Sequence, residues 1–244
     1  MNAPVSSSRR HDPLICGDRL KRVQAWQDRI RDPSLTILLV LEVCAIFLAT
    51  PLAAQGLPIM RAIGEALVLA VVLIVVLLSR RRGAIVMILL GLAAIFASRL
   101  LSPESSPIGE SVLGRGGDIL TFSVLTWVVA HAVYAPGRIT LRRLQGAAVL
   151  YLNIATIFSA IYRLIWELSP IAFANLPATA GGPAEVATML YFSFTTLTTT
   201  GYGDIVPIQP LARSLANLEA VVGQFYLAIT VASLVTLELA DRRH

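Results

Sequence analysis

Hydrophobic positions along this chain gather in long blocks with short polar interruptions, and strict alternation is absent. A helix needs about 20 apolar residues to cross the hydrocarbon of a bilayer. Six runs approach or exceed that length, at about 35–54, 63–79, 84–101, 119–135, 144–168 and 211–239. A seventh, roughly 186–197, is too short to span. Between it and the last run lies "TTLTTTGYGD", Thr195 to Asp204, with five threonines, two glycines around a tyrosine and an aspartate. Threonine is a poor helix former, and glycine costs roughly 1 kcal/mol inside a helix. The pattern predicts an all-α membrane protein with six transmembrane helices and a re-entrant helix and loop between the fifth and the sixth.

Composition agrees. Of 244 residues, 56% are hydrophobic and 14% charged, against about 25% charged in a soluble domain. Mean hydropathy is +0.72. The sequence "ATPLAAQG" after the first run resembles a signal-peptidase site, but a basic leader of over thirty residues and Glu42 within the run argue against a cleaved signal.

Arginine sets the expected topology. Residues 1–34 carry Arg9, Arg10, Arg19, Lys21, Arg22, Arg29 and Arg31, the second connection reads "SRRRG", and the fourth holds Arg138, Arg142 and Arg143. The alternate connections are poorer in cations. By the positive-inside rule both termini face the cytoplasm of a multi-pass cell-membrane protein, a bacterial inner membrane being the expected setting. The net charge of +5 then needs no nucleic-acid partner, because basic juxtamembrane segments face anionic lipid. Three domains are expected: a basic N-terminal segment (1–34), a four-helix transmembrane domain (35–137) and a pore domain (138–244). Within the first, Leu20, Val23, Trp26 or Gln27, and Ile30 recur near helical spacing, which fits either a surface-lying helix or a loose leader. Cys16 and Cys44 fall on different sides of the first membrane boundary, so neither a disulfide nor a metal site is expected.

Gly182-Pro183-Ala184-Glu185 reads as a helix start, with proline at the first position and a carboxylate at the positive end of the dipole. About three turns follow, and the chain then returns through Thr199-Thr200-Gly201-Tyr202-Gly203. Irregular backbone at membrane depth survives only when buried in protein or lining a watery cavity. Successive carbonyls aimed at one axis can replace the hydration shell of a cation. Aligning them demands positive φ at some positions, which suits Gly201 and Gly203. The Thr199 hydroxyl would add oxygens at the inner end, and Tyr202 would brace the loop.

Here "TTTGYGD" resembles the selectivity-filter signature of the tetrameric potassium channel family, usually T-V-G-Y-G-D, with Thr200 in place of the common valine. The resemblance runs over roughly 144–239. It implies a homotetramer, because one chain supplies one filter strand. It also implies potassium as the permeant ion, coordinated at Thr199, Thr200, Gly201, Tyr202 and Gly203, with Thr195, Thr198 and Asp204 in support. No cofactor and no enzymatic activity are implied. Gly223 falls where the family hinges its inner helix. Two departures stand out. Tyr191 and Phe192 occupy the place of the family's tryptophan pair. Thr195 occupies the place of a carboxylate that some members bond to the filter aspartate, leaving Asp204 without that partner.

The family's voltage-gated members carry arginine at every third position of the fourth span. This fourth span has none, so gating by voltage is not expected. Glu42 with His131, and Arg163 with Glu219, lie at matched depths and are expected as structural ion pairs; Arg163 could equally bond Glu167 within one helix. The rival readings are a non-selective cation channel, a non-conducting regulatory subunit and a secondary transporter. The last would need two corresponding broken helices, and one is found.

Overall fold

The structure is a computed structural model that describes residues 35–79, 82–100, 107–134, 141–177 and 182–241. The basic segment 1–34, residues 80–81, 101–106, 135–140 and 178–181 and the last three residues lie outside these, and with them the surface-helix reading, Cys16 and Arg138.

The described chain is almost entirely helical. Helix α1, Leu35–Ala54, contains a π-helical turn at Ala45–Ala49. Pro51 follows directly, and its missing N–H gives a reason for the disturbance. The Thr50 hydroxyl donates to the Ala45 carbonyl at 2.8 Å. Helix α2 spans Pro58–Leu78 and α3 spans Arg82–Leu100. Helix α4, Pro107–Val133, and helix α5, Leu141–Leu168, follow. The short helix α6, Pro183–Leu197, and the long helix α7, Pro210–Asp241, complete the set. A two-residue antiparallel pair, β1 (Phe173–Ala174) with β2 (Val206–Pro207), ties the segment before α6 to the segment after it.

Among the described residues, five helices are long and apolar enough to cross a membrane: Leu35–Ala54, Pro58–Val76, Val112–His131, Leu144–Leu168 and Pro210–Ser233. The third run forms a helix too, but its apolar part, Gly83–Ser98, is shorter. Two helices begin earlier than hydropathy predicts, because polar residues enter them. Arg61 lies in the first turns of α2 and meets Glu65 at 3.2 Å. Arg115 and Asp118 lie inside α4 rather than in a connection. Where α3 crosses α4, Gly91 and Gly117 let the backbones meet: a β-carbon on Gly117 would lie 2.8 Å from the Gly91 carbonyl oxygen. Small residues at helix crossings are the usual device for close approach in membranes.

Two cores form. One joins Leu38, Val75, Ile88, Leu125 and Val149 from the first five helices. The other packs Tyr162, Phe173, Met189, Phe192, Ile205 and Ala212 around α6. The rings of Phe173, Tyr162 and Phe192 meet edge to face in that second core. Helix α6 is therefore buried against its neighbours, and its C-terminal end delivers the loop that follows.

Candidate functional site

Helix α6 starts where the sequence predicts. Gly182 precedes it at φ 74°, a left-handed conformation suited to glycine. Pro183 takes the first position and Glu185 lies in the first turn. The threonines that looked misplaced near its end fold their hydroxyls back onto the helix: Thr195 and Thr196 both donate to the Phe192 carbonyl at 2.9 Å, and Thr198 donates to Phe194 at 2.7 Å. Such back-bonding lets a threonine replace part of its hydration inside an apolar surround.

After Leu197 the helix ends and the loop begins. Gly201 has φ 55° and Gly203 has φ 78°, as the alternation argument requires. Thr199 also takes a positive φ, 57°, which a β-branched residue seldom adopts. The Gly201 N–H donates to the Thr195 carbonyl at 3.0 Å, tying the loop back onto the helix. Hydroxyls of Thr198 and Thr200 lie 2.8 Å apart. The Thr199 hydroxyl donates to the Thr198 carbonyl at 2.7 Å and accepts from Gln224 Nε2 of α7 at 3.0 Å. Gln224 went unnoticed in the sequence, since only the packing brings it under Thr199. Residues Thr198 to Asp204 are exposed along the chain's surface.

Asp204 has partners, though not at position 195. It accepts the Ile205 N–H at 3.1 Å and lies beside the Tyr191 hydroxyl. That carboxylate beside it holds the Tyr191 phenol above its ordinary pKa of 10.0. The Tyr191 ring is also parallel to Tyr202, with centroids 6.2 Å apart. One residue of the substituted aromatic pair thus reaches both Tyr202 and Asp204. The other, Phe192, serves the core.

Gly223 is buried on α7 with a tight neighbour. A β-carbon there would come within 2.1 Å of the Leu197 carbonyl oxygen. Helix α7 runs unbroken through it, so in this structure Gly223 admits close packing.

The charged residues pair differently from the expectation. Arg163 does not meet Glu219. Its Nε bonds Glu185 at 3.0 Å and its Nη1 lies 3.8 Å from Asp118. Arg115 reaches the same Glu185 oxygen at 3.1 Å and Glu167 at 3.3 Å. Two cations and three carboxylates from α4, α5 and α6 thus form one cluster, which sequence spacing could not reveal because the partners bonded across helices are 22 to 70 residues apart. Glu219 is fully buried and instead touches Tyr162 and Ser193 through hydrogen bonds. The Glu42–His131 pair is not formed either: both Glu42 carboxyl oxygens are buried without a hydrogen-bond partner, and the His131 ring lies against Trp127 at 4.6 Å.

Comparison with known proteins places this region. Residues 146–238 match the family model described as "Ion channel". The inward rectifier potassium channel Kirbac3.1 of Paramagnetospirillum magnetotacticum is 40% identical over 50 residues, which is 20% of this chain and 17% of that relative. The match therefore covers under a fifth of the relative's length. No solved structure gives a significant match.

Proposed function

Starting from a chain whose pore half belongs with a pore-loop potassium channel family, we propose that it is one subunit of a homotetrameric, potassium-selective channel. The observation that carries this reading is the loop Thr198–Asp204, held on the end of a buried helix with Gly201 and Gly203 at positive φ. That geometry lets consecutive carbonyls point one way, and carbonyl oxygens can replace the hydration shell of a cation. The ion-coordinating set is Thr199, Thr200, Gly201, Tyr202 and Gly203, with Thr195, Thr198 and Asp204 holding the loop.

A single chain leaves this loop exposed on one side, so a closed path calls for further copies. The surface of α7 beside it supports that requirement, with Leu211, Leu218, Val221, Phe225 and Ile229 exposed near helical spacing. Helix α6 acts as the re-entrant pore helix, and Gly83–Ser98, though short, completes six crossings with both termini on the cytoplasmic side. Opening is independent of voltage: the cation of α4 nearest its outer end, Arg115, is bonded to two carboxylates.

The test is reconstitution into liposomes with a potassium gradient, followed by replacement of potassium with sodium. Flux carried by potassium and not by sodium, from a particle of four chains by native mass spectrometry, is the expected result. Equal sodium flux would overturn selectivity in favour of a non-selective cation channel. Slow, saturable, substrate-coupled flux would overturn the channel altogether. A conductance–voltage curve in symmetric potassium tests gating, and an apparent gating charge of many elementary units would refute the voltage-independent reading.

A further inference from the structure

Glu219 sits in α7 with no exposed surface. Its surroundings are a chain of oxygens crossing three helices. The Tyr162 hydroxyl of α5 lies 2.7 Å from Glu219 Oε2. Glu219 Oε1 makes a short contact with the Ser193 hydroxyl of α6. That hydroxyl in turn lies 2.8 Å from the Ala155 carbonyl of α5. Among the described residues no cation pairs with Glu219, and its carboxyl hydrogen-bonds to these two hydroxyls.

Counting protons settles how the chain is wired. Three contacts at hydrogen-bond distance need three protons, one between each pair of oxygens. Tyr162 and Ser193 supply one each, and the Ala155 carbonyl supplies none. If the Tyr162 proton lies toward Glu219 and the Ser193 proton toward Ala155, the contact between Glu219 and Ser193 lacks one. With a carboxylate there, either that contact or the one to Ala155 would bring two lone pairs together. A carboxylic acid supplies the missing proton. Burial favours the same answer, since an unpaired carboxylate away from water is costly whereas a satisfied neutral network is not.

We propose that Glu219 is a neutral acid that donates to Ser193 and accepts from Tyr162, forming a proton-complete brace that fixes α6 between α5 and α7. Glu219 is a positioning residue: it touches no ion, and acts through Ser193 on the helix that carries the loop. The brace rests on geometry alone, while its consequence for conduction rests on the channel reading above. Ser193 stands two residues before Thr195, whose carbonyl accepts the Gly201 N–H. A shift of α6 at Ser193 would therefore reach the glycine of the loop through one hydrogen bond.

Glutamine is the close isostere of a protonated glutamate, with an N–H for Ser193 and a carbonyl for Tyr162. Glu219→Gln should keep the thermal midpoint and the potassium flux of the wild type. Glu219→Leu leaves the Tyr162 hydroxyl without its acceptor and the Ser193 oxygen without its donor, and should lower both, the flux by about tenfold or more, the size expected from losing one to two buried hydrogen bonds. Infrared difference spectroscopy of the wild-type protein in lipid against Glu219→Gln reads the proton directly. A carboxylic-acid C=O stretch that vanishes in the glutamine variant supports the brace. Absence of that band, or a glutamine variant as impaired as the leucine variant, overturns it. Should the wild type carry no potassium flux, the channel reading fails while the band and the melting curves still decide the brace.

Discussion

Gly223 on α7 lies against the backbone carbonyl of Leu197, the last residue of α6, so closely that a β-carbon would sit 2.1 Å from the oxygen. The obstacle is main chain at the helix end from which the loop departs, and it cannot turn aside as a flexible side chain would. Gly223→Ala should therefore separate the two helices and destabilise the fold by about 1–3 kcal/mol, the usual cost of overfilling a packed site. Thermal unfolding in detergent checks this. If Gly223 served only to bend α7, alanine would leave the melting midpoint where it is and alter opening alone.

Gly201 poses a different constraint. A β-carbon there would meet nothing within 4 Å, but φ is 55°. Left-handed backbone costs an L-residue roughly 1–2 kcal/mol, and each subunit would incur that cost around the same ring. Gly201→Ala should fold, assemble and lose potassium selectivity or conduction. Liposome flux and native mass spectrometry, run on the same preparation, read the two halves of this prediction. Wild-type selectivity in the variant would contradict the assignment of the loop.

The cluster around Glu185 and the pair Arg61–Glu65 should respond unequally to loss of a cation. Arg163 and Glu185 are buried at 8% exposure each, so Arg163→Leu leaves Arg115 alone to face three carboxylates and should cost about 3–5 kcal/mol. Arg61 and Glu65 have side chains more than half exposed, and Arg61→Ala should cost at most about 1 kcal/mol. Melting curves of the two variants give the comparison. Similar shifts would mean that the cluster is as well hydrated as the surface pair.

Glu42 is the reverse case. Both its oxygens are buried and unpartnered, so an apolar side chain of similar size should suit the site better. Glu42→Leu is expected to stabilise the protein by about 1–3 kcal/mol, the penalty attached to an unsatisfied buried polar group. A lower melting temperature for the leucine variant would mean that the carboxyl has a partner in the assembled protein.

Tyr191 brings a hydroxyl donor beside Asp204, and tryptophan offers a donor too, its indole N–H. Tyr191→Phe removes it and should shorten the time over which potassium flux is sustained. Tyr191→Trp should retain it. The sign with pH follows from the direction of the shift. Because Asp204 raises the phenol above 10.0, the contribution of this bond to stability is whole below pH 10.0. It falls away as pH rises through the raised value. Alkaline melting of wild type and Tyr191→Phe should converge there, and convergence at neutral pH would show that the bond contributes nothing.

How much of this was legible in the sequence follows from the range of the forces involved. Hydropathy marked most of the long helices, because burial in lipid acts on each residue locally. The start of α6 at Pro183 and the need for Gly201 and Gly203 at positive φ were equally readable, since φ is a property of a single residue and its β-carbon. Hydropathy failed where a helix extends through charged residues: Arg61 and Arg115 entered α2 and α4 because their charges are met by Glu65, and by Glu167 and Glu185. The polar partnerships needed the tertiary structure. Matched depth suggested Arg163 with Glu219 and Glu42 with His131, but depth leaves helix rotation free, and rotation decides which side chains face each other. Packing turned Arg163 toward Glu185, gave Glu219 to Tyr162 and Ser193, and brought Gln224 beneath Thr199. These contacts join residues 22 to 57 positions apart, a separation over which no local periodicity carries information, and only the closing of the core brings them together.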